Sequence, residues 1–154
     1  MTQNDISTLT SRVKRATTRR RALAEEMTDL ERIAAGPASA PDWLDRVEGA
    51  LVDLRKALDA HIEEVEGPDG LLAEIVEIAP RLSAQTVELR EEHMELLGAW
   101  LRAEATAREA RNERASRSAV RRRVVALIGR LTLHRQAGSD LVFEAYNVDI
   151  AASD

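Results

Sequence analysis

Residues 41–66 read PDWLDRVEGALVDLRKALDAHIEEVE. Trp43, Val47, Leu51, Leu54, Leu58, His61 and Val65 recur at spacings of 4, 4, 3, 4, 3 and 4. This is the period of one face of an α-helix, with acidic and basic residues filling the rest of the turn. One polar side chain, His61, interrupts the apolar face.

The flanking sequence extends the pattern. Upstream, a helix is expected from about Asp5 to Ala35, with Leu23, Met27, Leu30 and Ala34 on its inner face. Gly36-Pro37 is expected to end it, Gly by a left-handed cap and Pro by refusing to continue. Ser39 is expected to cap the next helix, with Pro41 near its first turn. Downstream, Gly67-Pro68-Asp69-Gly70 breaks the chain, and a short apolar helix runs from Leu71 to Ile78, before Pro80. Another long helix starts near Ser83 and carries Leu89, His93, Leu96 and Trp100 on one face. From about Arg102 to Arg117 large apolar residues stop, so that stretch reads as a solvated helical extension or a mobile connection. The last long helix carries Val120, Val124, Leu127, Leu131 and His134, spaced 4, 3, 4 and 3. Gly138-Ser139 is expected to disturb it. The final ordered piece is expected over Asp140 to Ile150, followed by a tail at 151–154. No strand or hairpin signal is present. Four long helices with short connections predict one all-α domain over 1–154, an up-down-up-down four-helix bundle with short extra helices.

Composition agrees. The chain has 154 residues, 44% hydrophobic and 32% charged but only 3% aromatic, a balance that favours packed helices over sheets. Cysteine is absent, which excludes disulfides, thiolate metal sites and cysteine nucleophiles. No apolar run approaches a membrane span, and no secretory leader is visible, so a cytoplasmic protein is expected. The net charge is −5 and unevenly spread. Residues 1–22 hold six Lys/Arg against Asp5, and residues 102–123 hold eight Arg against Glu104, Glu109 and Glu113. Arg19-Arg20-Arg21 and Arg121-Arg122-Arg123 are the densest clusters. They read either as solvated helix faces or as a surface for an acidic partner: RNA, a ribosome or another protein. No aromatics are interleaved with them, so base stacking is unsupported.

The chain repeats. Leu23-Ala24-Glu25-Glu26-Met27-Thr28-Asp29-Leu30 aligns with Leu89-Arg90-Glu91-Glu92-His93-Met94-Glu95-Leu96, at an offset of 66 from 23 to 89. Val47, Leu51, Leu54, Leu58 and His61 align with Val120, Val124, Leu127, Leu131 and His134, at an offset of 73 from 61 to 134. A Gly, an Asp and two apolar residues follow each His. Two related helical hairpins are therefore expected.

The chain has three His, and each lies on the apolar face of a different helix. If such a face covers two-fifths of a helix, chance places all three there about one time in fifteen. In a bundle these rings would point at one another. Neutral imidazole is a common metal ligand, and bundle interiors hold di-iron and di-manganese sites. With no thiolate available, iron, manganese and zinc, bound by nitrogen and oxygen, are the candidate metals. Carboxylate candidates follow each His. Glu64 shares the face of His61. Glu66 lies off it unless the helix loosens, and Asp69 lies beyond the break. Gly138, four residues after His134, cannot ligate through a side chain. Asp140 comes back to the face only if the helix bulges at Gly138-Ser139. Glu144 and Tyr146 are further candidates.

In its three core His and duplicated hairpins the chain resembles the hemerythrin-like (HHE cation-binding) family. The resemblance spans roughly residues 15–150. It implies a four-helix bundle of two hairpins holding a non-heme iron centre. It places His61, His93 and His134 at the second-, third- and fourth-helix ligand positions, with Glu66 or Asp69, and Asp140, as bridging acids. The chain departs from the family in two places. Met27 stands at the first-helix His position, and Leu89 stands where some members carry another His. A full five-His di-iron centre is thereby excluded, leaving a mononuclear or incomplete di-iron site, or an apolar core without metal. The function implied is metal binding, with dioxygen, peroxide or nitric oxide as the ligand bound or sensed. The alternative is an interaction module on the same scaffold, acting through its Arg clusters. No catalytic residues are picked out.

Overall fold

The computed structural model of the chain describes residues 3–148. Five α-helices follow one another: α1 (Gln3–Ala35), α2 (Trp43–Glu66), α3 (Leu71–Ile78), α4 (Ser83–Arg111) and α5 (Arg117–Phe143). A 3₁₀ turn over Pro80–Leu82 precedes α4, and a π-helical turn over Glu144–Val148 follows α5. No strand occurs among the described residues. The tail expected at 151–154 lies outside them, as does the end of the piece expected to reach Ile150.

The long helices form the all-α bundle that the periodicity predicts. α1 packs chiefly on α2, and α4 on α5, so the molecule is two hairpins laid together. The interior divides into two apolar clusters. The larger holds Leu23, Leu30, Trp43, Leu54, Leu58, Leu96, Leu127 and Leu131, at the end where the hairpins turn. The smaller holds Ala16, Val65, Leu72, Ile75, Leu82, Leu89 and Leu141, at the end roofed by α3 and the π turn. Removing one of these fully buried Leu side chains to Ala is worth about 2–5 kcal/mol. Trp43 is buried and Trp100 half-buried, and both satisfy their N–H groups. Trp43 donates to the Ile33 carbonyl at 3.1 Å and Trp100 to the Leu51 carbonyl at 2.7 Å.

Four local expectations change. Gly36 is not left-handed, and no described Gly has a positive φ. Pro37 stops α1, and its last carbonyls are capped by Arg121 instead, which donates to Ala34 at 2.7 Å and to Gly36. Ser39 caps nothing. Two consecutive turns, closed by Ala40 N–H to Pro37 and Trp43 N–H to Ala40, delay α2 until Trp43. The stretch after Arg102 is the helical extension, but it is not solvated throughout. It is regular helix to Arg111, and Ala103 and Ala107 are fully buried. Small Ala side chains let α4 approach its neighbours there, and those neighbours supply the bulk. The turn into α5 places Glu113 at φ 58°, with Arg114 N–H reaching back to Glu109, a Schellman closure. Finally, α5 runs unbroken through Gly138-Ser139 to Phe143, and the only π turn among the described residues comes later.

No helix among the described residues is long and apolar enough to cross a membrane.

Candidate metal centre

Each His occupies a core position between the two apolar clusters. On α2, His61 lies between Leu58 and Val65. On α4, His93 lies between Leu89 and Leu96. On α5, His134 lies between Leu131 and Leu141. All three are buried, at 6%, 2% and 5% exposure. Regular helices meeting around one axis therefore bring the rings into a single layer at the junction.

The ring nitrogens converge. His93 Nε2 is 3.0 Å from His134 Nε2, and His134 Nε2 is 3.4 Å from His61 Nε2. One ligating atom from each residue lies within 4.8 Å of the other two. Ligands at about 2.0–2.1 Å from a metal are spaced roughly 3.3 Å apart in a tetrahedron and about 2.9 Å apart at right angles. The 3.0 and 3.4 Å spacings suit two ligands of one ion.

The outward nitrogens of two rings face carboxylates. His93 Nδ1 is 3.0 Å from Glu66 Oε1, and His134 Nδ1 is 2.6 Å from Glu92 Oε2. An ionised carboxylate only accepts, so the nitrogen facing it carries the proton. In the neutral rings Nε2 then bears a lone pair. Two such lone pairs 3.0 Å apart repel unless a cation, proton or metal, lies between them. The carboxylate–imidazole arrangement is the one that orients metal-bound His and raises its basicity. His61 Nδ1 has no partner. Burial, then the neighbouring His93 and His134, then Arg20 and Arg135, push the His61 pKa down to about 3, so this ring stays in its ligating form. Burial also lowers the His93 pKa, against the opposing hydrogen bond to Glu66.

α1 contributes to the layer, but through a different residue from the one expected. Met27 is buried in the larger cluster, away from the rings. The residue at the junction is Arg20, between Ala16 of the smaller cluster and Leu23 of the larger. The 73-residue separation of His61 and His134 explains this. Applied to α4, it maps Leu89, His93 and Leu96 onto positions 16, 20 and 23, the α1 residues that share their packing. The offset of 66 was short by seven residues. A slip of two turns keeps the same face inward and moves every residue to another layer.

The other expected acids are elsewhere. Asp140 is exposed and accepts from Gln136 at 2.8 Å. It stands six residues beyond His134 on unbroken helix, so it stays off the inner face and does not join the cluster. Glu66 approaches His93 from outside the layer rather than joining the Nε2 triangle. Glu64 pairs with Arg15 at 3.0 Å, Asp69 is 93% exposed, and Glu144 pairs with Arg81 at 2.6 Å. Tyr146 packs in the smaller cluster. Glu92 and Arg135 are site residues that the sequence does not single out, and Arg20 is read from it only as part of a surface cluster. The 73-residue offset was the available signal for Arg20.

A cavity of about 30 Å³ adjoins the layer. The three His, Arg20 and Arg135 border it, and Leu71, Leu72 and Ile75 of α3 close it. A water-sized guest needs about 10–15 Å³ of such space, so the cavity suits one very small molecule.

Of the Arg clusters, Arg121 serves the end of α1 and Arg20 turns inward, while Arg19, Arg21, Arg122 and Arg123 are exposed. In comparisons with protein-family models, curated proteins and solved structures, nothing matches the chain.

Proposed function

We propose that the chain is a hemerythrin-like, non-heme metal-binding protein whose His61, His93 and His134 hold a single ion. The observation that carries this reading is the convergence of three buried Nε2 atoms, with Glu66 and Glu92 holding two of the rings from behind. One ion rather than two follows from the ligand supply. The chain has three His, its first-helix position in the layer is Arg20, and Asp140 is remote. A three-nitrogen set is compatible with iron, manganese or zinc, and iron is the ion proposed. Iron held there would supply reversible coordination of a small ligand such as dioxygen, peroxide or nitric oxide. The protein's own part is to hold the rings, exclude bulk water with α3, and leave room for a guest of that size.

The test is metal analysis of protein prepared without a His tag. It is stripped with chelator and titrated with iron(II), zinc and cobalt(II) by calorimetry. One equivalent is expected to bind, and His93→Leu or His134→Leu is expected to abolish uptake. Failure to bind any of the three ions, or uptake unchanged in both variants, would refute the proposal.

A further inference from the structure

The cavity beside the imidazole layer has an unusual charge balance. Two guanidinium side chains, Arg20 and Arg135, border it, and no carboxylate does. Glu66 and Glu92 address the rings from other sides and are not part of its wall. Arg20 spends donors on neutral acceptors, the Arg135 carbonyl at 3.3 Å and the Ser139 hydroxyl. Arg135 Nε is buried without any partner. Neither Arg has a carboxylate partner among the described residues.

Burial, followed by repulsion from Arg135, lowers the Arg20 pKa. Partly buried charges are normally matched by a counter-charge, because leaving them unmatched is costly. The rest of the wall is the three imidazoles and aliphatic side chains, Leu71, Leu72 and Ile75 among them, and supplies no anion. Arg suits this task, since its planar fork binds small oxyanions with two parallel hydrogen bonds.

We propose that this cavity is a binding site for a small inorganic anion of two or three heavy atoms, held by Arg20 and backed by Arg135. The site stands on the two guanidiniums, and it rests on the metal reading only for the ion's share of the attraction. Its place beside His61, His93 and His134 makes the bound anion a neighbour of the Nε2 triangle. Arg20 would then be the residue that selects an anionic guest over a neutral one.

The probe is nitrite, titrated calorimetrically in chloride-free buffer into the full chain, once metal-stripped and once with one equivalent of zinc. Saturable binding of one nitrite is expected in the stripped protein. Arg20→Gln should weaken it about tenfold or more, the loss of a charge-assisted hydrogen bond, and Arg20→Lys should recover part of it. Arg135→Gln should also weaken it and decides the matter if Arg20→Gln does not fold by circular dichroism. Sulfate, too large for the cavity, should leave the isotherm unchanged. Absence of saturable nitrite binding in both forms overturns the proposal. So does equal binding by the folded Gln variants, or displacement of nitrite by sulfate. Nitrite binding without zinc uptake would count against the metal reading alone, and zinc uptake without nitrite binding against the anion site alone.

Discussion

Replacing Glu92 by Gln isolates the contribution of the carboxylate behind His134. The Glu92 Oε2 atom lies 2.6 Å from His134 Nδ1, the shortest polar contact made by the three rings. Gln keeps an acceptor of nearly the same shape but removes the charge. A charge-assisted hydrogen bond is worth about 1.5–3 kcal/mol, roughly twice its neutral counterpart, so about 1–1.5 kcal/mol should be lost. The Glu92 side chain is 39% exposed, and solvent screening keeps the figure at the lower end. That corresponds to a metal site weaker by about five- to tenfold, at or just below the bottom of the 10- to 100-fold range typical of residues that orient a metal-bound His. The assay is competition for zinc or cobalt(II) against a chromophoric chelator at pH 7.5, with denaturant unfolding of the stripped protein as control. Stability of the stripped variant should change by under about 1 kcal/mol, because the carboxylate is partly solvated. Affinity within twofold of the unmodified chain, while His134→Leu abolishes binding, would show that Glu92 does not tune the ligand.

Three further outcomes follow from the same geometry. The His61 pKa is about 3 in the folded chain against 6.5 ordinarily, so the unfolded state takes up more protons below pH 6.5. This contribution to stability is complete above that pH and is lost as pH falls toward 3. The metal-stripped protein should lose about 2 kcal/mol more than His61→Leu between pH 7 and pH 5 in urea titrations, and parallel pH profiles would contradict the assignment. Gly70→Ala places a Cβ 2.7–2.9 Å from the carbonyl oxygens of Val65, Gly67 and Glu64, and should cost about 1–3 kcal/mol in thermal or urea unfolding. Unchanged stability would mean that the α2–α3 turn has room the structure does not show. Met27→His adds an imidazole in the wrong layer and should leave metal stoichiometry and affinity by calorimetry unchanged. A tighter site in this variant would restore Met27 to the ligand position and contradict the placement of Arg20.

Much of the fold could be read from one physical regularity. Large apolar residues at spacings of 3 and 4 define α2, α5 and the first half of α4, and the same rule put all three His inside. It failed where bulk was absent. Ala103 and Ala107 carry too little apolar surface to stand out from the surrounding Arg and Glu, yet their small size is what lets α4 pack closely. Caps were also hard to read, because the donors came from far along the chain. The last turn of α1 is closed by Arg121, 87 residues from Ala34. Glu92 was missed for a similar reason. It is a surface residue on its own helix, and it becomes part of the site only because α5 lies alongside.

The misplaced first-helix residue shows what periodicity can and cannot establish. A heptad is close to two turns, so shifting an aligned helix by seven residues leaves the apolar face intact and every packing pattern plausible. Only depth along the bundle distinguishes the alternatives, and depth is fixed by the partner helices. The pair His61 and His134 supplies that depth, since two rings whose Nε2 atoms lie 3.4 Å apart must share a layer. The separation they define carries His93 to Arg20 and leaves Met27 two turns away. The consequence is chemical as well as geometric. Thioether at that position would have been an inert gap in the ligand set, whereas guanidinium is a fixed positive charge beside three imidazoles. A layer of three buried imidazoles and a half-buried Arg is less stable than the Leu packing above and below it. Local sacrifices of this kind, set in an otherwise consistent core, are where binding chemistry is to be sought.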